Sequence, residues 1–228
     1  MELDDYGDMI GEMPELVRGG AVELAELGGP KAELTTGLIL MWRDRLVFAL
    51  EPRAVPLGAQ GRDDITAFVG IGGHLDPGEG WGEAAKREAL EEANCAVSLG
   101  DSAVTYLCRQ DQVPRPLAYR WAEPCRPLLV WIATFDLRRG SRRERVPTTL
   151  VTSVFRAAAL ARPSPGAEIR ALLLLDQDCL LRAYEAPRPL GHLIHMGAEL
   201  IGEAPTADVL VAPGGSAYFY AQWLAWQQ

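Results

Sequence analysis

The chain has 228 residues, of which 48% are hydrophobic and 23% charged, which suits one domain, or one domain with extensions, and excludes a disordered protein. Its net charge of −9 argues against binding to nucleic acid or to an anionic membrane, because both require basic protein surface. No apolar run reaches the roughly 18 residues of a membrane span, and the acidic start lacks a signal-peptide pattern, so we expect a soluble, cytoplasmic protein.

The first part of the chain is typical of a short helix followed by strands. Residues 12–27 suit a helix that ends at a Gly-Gly-Pro sequence. Residues 35–52 hold two apolar runs around an Arg-Asp pair, which predicts two strands joined by a tight turn. The Gly, Pro and Asp content of residues 55–64 indicates a loop. Residues 65–73 suit a strand that enters a glycine turn, and a helix follows over residues 82–93.

The middle of the chain is rich in predicted strands. Strong strands are expected over residues 102–110 and 126–137, with a weaker one within residues 117–121. Residues 138–145, RRGSRRER, form a basic loop in this interpretation. Residues 150–162, LVTSVFRAAALAR, look helical.

The last third predicts a strand and two helices. Residues 168–176, EIRALLLLD, could form a helix by length, but we prefer a buried strand, with Asp176 capping a helix over residues 177–185. The aromatic-rich residues 215–228 predict an amphipathic helix, which either covers the core or forms a dimer interface, with the core favoured. The order of elements predicts an α/β fold with a mixed sheet flanked by helices on both faces.

Three glutamates lie close together in KREALEEANC, residues 86–95. At about 100° per residue, Glu88, Glu91 and Glu92 share one helix face, where like charges repel. Glu83 can pair with Arg87, but no Lys or Arg lies three or four residues beyond the three glutamates. Small alanines beside them would let the helix approach a sheet and desolvate the acids. Either this face is solvated and paired elsewhere, or a hard cation, Mg²⁺ before Zn²⁺, joins the carboxylates.

The sequence before this helix favours the metal site. From the first glycine, the stretch reads Gly73, five residues, Glu79, seven residues, Arg87, Glu88, Ala89, Leu90, Glu91, Glu92, Ala93, Asn94 and Cys95. It resembles the signature of the Nudix hydrolase family. Gly73, Glu79, Arg87 and all three helix glutamates are in register with that signature. Asn94 stands where the family usually has Gly, at a helix end where positive φ is expected and Asn is tolerated. The resemblance implies a Nudix-like α/β/α sandwich.

Nudix enzymes hydrolyse nucleoside diphosphates linked to another moiety, and the resemblance implies that chemistry here. The three helix glutamates would ligate Mg²⁺ or Mn²⁺, joined by the main-chain carbonyl of Gly73. Glu79 and Arg87 would form an ion pair that fixes the loop against the helix. The metal would neutralise charge on the phosphates and lower the pKa of the attacking water.

The general base of the family is often a glutamate from a later loop. Glu168 is our candidate, because it follows a loop and precedes the buried strand. A surface helix cap or salt-bridge acid is the alternative interpretation. Glu123 and Asp111 are weaker candidates.

The substrate is expected to be a small nucleotide diphosphate of unidentified type. The family's coenzyme A signature is absent, and Gln110 and Asp111 occupy the places of the residues that mark ADP-ribose and dinucleoside polyphosphate enzymes. The basic loop could receive a distal phosphate, or bind nothing specific. Four aromatic residues could stack on a base, although core packing is favoured for each: Trp121, Trp131, Phe155 and Tyr184.

The histidines and cysteines add little chemistry. His74, beside the glycine turn, could line the pocket, whereas His192 and His195 lack the further ligands that a zinc site needs. The four cysteines, none at CxxC spacing, are expected to be reduced and mostly buried: Cys95, Cys108, Cys125 and Cys179.

We expect three parts: an N-terminal extension (1–34), a Nudix hydrolase domain (35–185) and a C-terminal extension that packs on the domain (186–228). A homodimer is compatible with this organisation. Three functions stay open: a Mg²⁺-dependent hydrolase, a non-catalytic nucleotide-binding or regulatory module of the same fold, and an unrelated protein with a coincidental acidic helix. The intact glutamates favour the enzyme.

Overall fold

A computed structural model of the chain describes residues 23–51, 54, 57, 64–138, 145–203 and 205–228. Most of the helix expected over residues 12–27, most of the loop expected over 55–64 and most of the basic loop at 138–145 therefore lie outside the described residues. Within the described part, one 3₁₀ turn at Leu24–Glu26 precedes the first strand.

The first two apolar runs form a hairpin, as the sequence predicts. Strands β1 (Glu33–Trp42) and β2 (Arg45–Glu51) pair antiparallel, with Leu40 opposite Val47. Arg43 has a φ of 58° in the connecting turn, as tight hairpin turns require. The centres of both strands are buried, which explains their continuous apolar character.

The remaining described elements follow in chain order. The strands are β3 (Ile65–Val69), β4 (Val97–Gly100), β5 (Tyr106–Arg109), β6 (Arg115–Pro116), β7 (Leu129–Arg138), β8 (Arg145–Ala159), β9 (Ala171–Leu175), β10 (Arg188–Pro189), β11 (Glu199–Gly202) and β12 (Leu210–Pro213). The helices are α1 (Trp81–Ala93), α2 (Gln177–Glu185), α3 (Leu190–His195) and α4 (Gly215–Gln227).

The described strands form one mixed sheet in the order β10-β12-β3-β2-β1-β8-β7-β5-β6. Strand β9 joins β2 and carries β11, and β4 joins β8. Three pairs are parallel (β1 with β8, β3 with β12, and β5 with β7), and the other named pairs are antiparallel. The predicted mixed sheet is confirmed.

Helices cover both faces of the sheet. Leu38 and Leu40 of β1 share a core cluster with the alanines of α1, whereas Ile39 packs with the aromatic residues of α4. Because successive side chains of a strand point to opposite faces, α1 and α4 lie on opposite sides. The expectation of a mixed sheet flanked by helices is confirmed.

The prediction of a helix over residues 150–162 is wrong. Residues 145–159 form the long strand β8, which lies between β1 and β7. Leu38 pairs with Phe155 across the parallel β1–β8 ladder, and Val154 pairs with Leu129 across the antiparallel one. The run of alanines suggested a helix, but burial on both faces between two partners favours a strand for the Val- and Thr-rich part.

The preferred interpretation of residues 168–185 is confirmed. All five residues of β9 are buried, and the strand pairs with β2 and β11. The Asp176 side chain accepts a hydrogen bond from the Cys179 N–H at 2.8 Å and so caps α2.

The described residues from 186 to 228 contribute strands and a helix to the same sheet and core. Strand β12 pairs in parallel with β3, and β11 extends the sheet beyond β9. Helix α4 is buried continuously from Ser216 to Gln222, so its expected amphipathic character is wrong in this part, and it fills the core. The ring of Phe219 stacks on Trp131 with centroids 5.0 Å apart.

The aromatic residues that were expected in the core pack there, and most of the cysteines are buried. Trp131 and Phe155 are buried in the core, Trp121 packs against Phe155, and Tyr184 packs against Tyr218. Three of the four thiols are buried, and Cys125 is half-buried. Across the part of the chain that is described, none of the helices has the length and apolar character to cross a membrane.

Candidate functional site

Alanines on one side of α1 let the helix lie close to the sheet. Its fully buried residues include Ala84, Ala85, Ala89 and Ala93. The helix ends at Asn94, which has a φ of 48° and donates a side-chain hydrogen bond to Ser164 Oγ at 3.2 Å. The expected positive φ at this position is confirmed, and Asn is one of the residues that tolerate it.

The turn after β3 brings two glycines against β1 and α1. Gly72 has a φ of 155° and lies so close to the Thr36 carbonyl that a Cβ atom would overlap it, so only glycine fits. The Gly73 carbonyl accepts from the Thr36 N–H at 2.8 Å, which leaves its second lone pair available. A Cβ atom on Gly73 would overlap the Glu88 carboxylate, so this carboxylate lies directly against the main chain of Gly73.

Glu79 and Arg87 form a bidentate pair. Arg87 Nε donates to Glu79 Oε1 and Arg87 Nη2 donates to Glu79 Oε2, both at 2.9 Å. Glu79 Oε2 also accepts from the Asp76 N–H at 3.0 Å. The hydrogen bonds from Arg87 are the main reason that the pKa of Glu79 lies below its usual value. The turn before α1 is thereby attached to the middle of the helix.

Arg87 also neutralises two of the three helix glutamates. Its Nη1 donates to Glu88 Oε1 at 2.7 Å and to Glu91 Oε2 at 2.9 Å, and its Nη2 donates to the His74 carbonyl at 2.9 Å. The expected pairing partner of Arg87, Glu83, instead accepts from the Gly80 N–H at 3.3 Å. Arg87 precedes Glu88 and Glu91 in the sequence, so a cation three or four residues beyond each glutamate is not needed.

Glu88 is the most buried acid of the helix, with 8% of its surface exposed. Burial raises its pKa, and the hydrogen bond and charge of Arg87 oppose that rise. Glu91 is exposed and keeps its contact with Arg87.

Glu92 is the acid with the strongest perturbation. Burial raises its pKa to about 7, although the Gly72 N–H, which donates to Oε2 at 2.8 Å, favours the ionised form. The negative charges of Glu88, Glu168 and Glu51 raise this pKa further. Glu168, the candidate base, therefore lies within electrostatic reach of the carboxylate helix. Glu51, at the end of β2, was not anticipated, because nothing in its local sequence links it to residues 88–92.

The segment before Glu168 is clamped to the C-terminal end of α1. The Gly166 N–H donates to the Glu92 carbonyl at 2.8 Å, and the Ser164 N–H donates to the Ala93 carbonyl at 3.0 Å. A Cβ atom on Gly166 would overlap the Glu91 carbonyl. These bonds satisfy helix-terminal carbonyls that have no partner within the helix. They also hold the chain two residues before Glu168 against the end of α1.

The other candidates lie in different settings. Both carboxylate oxygens of Glu123 accept backbone N–H groups at the start of α1, which opposes a role as a base. Asp111 is exposed in a turn after β5, with a φ of 58°. His74 Nε2 lies 2.9 Å from Glu33 Oε2. His192 and His195 are exposed on α3.

The donor set fits a hard divalent cation in chemistry, though not in ligand spacing. Within residues 23–228 as described, no three His, Cys, Asp or Glu side chains converge as a metal site, and Arg87 occupies the space between Glu88 and Glu91. All the candidate donors are oxygens, which Mg²⁺ and Mn²⁺ prefer. Burial raises the pKa of both Glu88 and Glu92, which indicates acids that a cation would stabilise in the ionised form.

No protein-family model and no curated protein matches this chain. Solved structures with a similar arrangement include a NUDIX hydrolase from Nitrosomonas europaea, at 17% identity and a TM-score of 0.39, over 65% of this chain and 59% of that one. The match therefore spans less than two thirds of that protein's length.

Two further solved structures resemble the chain. A NUDIX-family hydrolase from Clostridium perfringens has 18% identity and a TM-score of 0.38, over 65% of this chain and 83% of that one. The MutT protein from Methanosarcina mazei has 13% identity and a TM-score of 0.40, over 66% and 81%. The first two carry the name of the family that residues 73–95 resemble, but similarity at this level assigns no activity.

Proposed function

We propose that this chain is a Mg²⁺-dependent hydrolase of the Nudix family, which cleaves a phosphoanhydride bond in a nucleoside diphosphate linked to another moiety. The observation that carries the proposal is the signature from Gly73 to Cys95, in which Gly73, Glu79, Arg87 and all three helix glutamates are in register. Arg87 donates hydrogen bonds to Glu79, Glu88 and Glu91, and the Gly72 N–H donates one to Glu92. Mn²⁺ can take the place of Mg²⁺, because both ions prefer oxygen ligands.

Glu88, Glu91 and Glu92, together with the Gly73 carbonyl, would hold the ion. A bound divalent ion neutralises charge on the phosphate oxygens and lowers the pKa of an attacking water molecule. The contact of Glu88 with Gly73 and of Glu92 with the Gly72 N–H supports this assignment. Arg87 would release Glu88 and Glu91 and keep its bidentate contact with Glu79, so the helix and the turn stay attached.

Glu168 would take the proton of the attacking water. As the water oxygen bonds to phosphorus, the bond from phosphorus to the bridging oxygen breaks, and the water proton passes to the Glu168 carboxylate. The influence of its charge on the pKa of Glu92 supports this role. The clamp of residues 164–166 on α1 also supports it, because a general base must be held at a fixed place relative to the ligands.

A panel of nucleoside diphosphates linked to sugars, nucleotides and other groups tests the proposal. Each compound is incubated with the protein and Mg²⁺, and released mononucleotide is measured by chromatography. We expect at least one compound to be cleaved, with cleavage lost in EDTA. Glu92→Gln should abolish it, and Glu83→Gln, which removes an exposed charge from the same helix, should not. Calorimetric binding of a panel member without cleavage would overturn the proposal in favour of a nucleotide sensor.

A further inference from the structure

The first turn of α1 receives its cap from a distant part of the chain. Gly80 precedes the helix and has no side chain, so it cannot satisfy the first free N–H groups. Glu123 Oε1 accepts from the Trp81 N–H at 2.7 Å, and Glu123 Oε2 accepts from the Gly82 N–H at 2.8 Å. The Glu123 carboxylate, 42 positions after Trp81 and 41 after Gly82, therefore caps both of these N–H groups.

The absence of a side chain at two positions permits this contact. A Cβ atom on Gly80 or on Gly82 would lie 3.2 Å from a Glu123 carboxylate oxygen, which is tight enough that the carboxylate would have to move by a few tenths of an ångström. The negative charge of the carboxylate also lies at the positive end of the helix dipole, where it is favourable.

The segment that carries Glu123 is anchored in the core. The ring of Trp121 packs on Phe155 and Tyr119, with centroids 6.1 Å and 5.7 Å away. Trp121 Nε1 donates to the Cys125 carbonyl at 2.9 Å. A carboxylate held between these contacts has little freedom, so its position can fix the helix start.

The same helix turn is attached to the sheet near the glycine turn. Thr36 Oγ1 donates to the Trp81 carbonyl at 3.3 Å, and the Thr36 N–H donates to the Gly73 carbonyl. The start of α1 is thus held by β1 on one side and by Glu123 on the other. Glu88 and Glu92 lie further along the same helix, so a shift of its first turn changes where both carboxylates meet the glycine turn.

We propose that Glu123 is a positioning residue that fixes α1 against the glycine turn and thereby sets the placement of the carboxylate ligands. Its effect on hydrolysis rests on the proposed function, whereas its effect on the helix does not. Glu123 acts through α1 and touches no reacting atom.

The test compares Glu123→Ala and Glu123→Gln with the wild type and with Glu185→Gln, which removes an exposed charge from α2. Amide NMR of the metal-free protein provides the first measurement. We expect Glu123→Ala to speed hydrogen exchange at Trp81 and Gly82 by at least about tenfold and to shift the Gly72 amide, which reports its bond to Glu92. Glu123→Gln keeps one acceptor oxygen, so its exchange rates and its Gly72 shift should lie between those of the wild type and of Glu123→Ala. An unchanged Gly72 amide in both variants would overturn the proposal.

The second measurement is Mn²⁺ affinity by electron paramagnetic resonance, with hydrolysis kinetics below the unfolding temperature. We expect Mn²⁺ affinity and kcat to fall by roughly 10–100-fold in Glu123→Ala, as for other groups that orient metal ligands, with partial recovery in Glu123→Gln and little change in KM. If a variant shows fast exchange at Trp81 but unaltered Mn²⁺ affinity and kcat, Glu123 only stabilises the helix start, and the proposed positioning role is wrong. If the wild type cleaves no substrate, the proposed function fails, and the amide measurements still decide the role of Glu123.

Discussion

Replacing Glu92 with glutamine should stabilise the metal-free protein at pH 8 and have a smaller effect at pH 5. Glutamine keeps the shape of the side chain and an oxygen that can accept from the Gly72 N–H. It removes a half-buried charge near the carboxylates of Glu88, Glu168 and Glu51. The substitution therefore separates the cost of the charge from the packing of the side chain.

The size of the effect follows from the pKa of Glu92. The folded protein raises this pKa from 4.5 to about 7, so between these values the folded state binds more protons than the unfolded state, and stability falls as pH rises. The cost of the charge grows from about 1 kcal/mol at pH 5 to about 3 kcal/mol at pH 8. Glu92→Gln should gain stability over the wild type by these amounts.

Urea denaturation in EDTA at pH 5, 6, 7 and 8 measures the difference in free energy of unfolding. Glu83→Gln is the control, because it removes one exposed negative charge from the same helix. A gain for Glu92→Gln that does not grow with pH would refute the electrostatic reasoning. Adding Mg²⁺ should reverse the order at pH 8, since an ion bound only to the folded wild type stabilises it in proportion to the logarithm of its concentration.

Substitutions at three further positions test the surroundings of α1. Gly166→Ala should lower the free energy of unfolding by about 3 kcal/mol in urea, because the new Cβ overlaps the Glu91 carbonyl and main chain cannot rotate away; a loss below about 0.5 kcal/mol would contradict the clamp. Asn94→Gly should be more stable than Asn94→Ala by about 1 kcal/mol in the same assay, since both lose the contact with Ser164 and only alanine resists a φ of 48°; equal stabilities would count against the left-handed helix end. Arg87→Lys should lower kcat by roughly 10–100-fold, because an ammonium cannot replace a bidentate guanidinium; wild-type kcat would exclude this role.

Local patterns predicted the elements whose partners lie nearby in sequence. The hairpin of β1 and β2 follows from two apolar runs around Arg43 and Asp44, and α1 follows from its alanine face and glutamate spacing. Strand β8 was misassigned because its partners, residues 33–41 and 129–138, are supplied by distant parts of the chain. An alanine-containing segment becomes a strand when it lies between two others, and no local pattern reveals that arrangement.

In the candidate site, too, the local features could be predicted from the sequence, and the contacts between distant residues could not. The helix spacing brought Glu88, Glu91 and Glu92 to one face, and the signature placed Glu79 beside Arg87. The cap by Glu123 and the clamp by residues 164–166 depend on tertiary contacts across 41 to 74 positions. Arg87 supplies the cation that the sequence pattern did not reveal for Glu88 and Glu91, and its long side chain also reaches Glu79 and Asp76.

The dependence of hydrolysis on Mg²⁺ concentration, measured for the wild type, Glu92→Gln and Glu83→Gln on a cleaved panel compound, tests the central claim most directly. We predict saturable activation of the wild type and of Glu83→Gln, and a loss of more than about 100-fold for Glu92→Gln, because removing a ligand should cost more than disturbing its support. Equal rates and equal Mg²⁺ dependence in the wild type and Glu92→Gln would contradict the assignment of the carboxylate helix as the metal site.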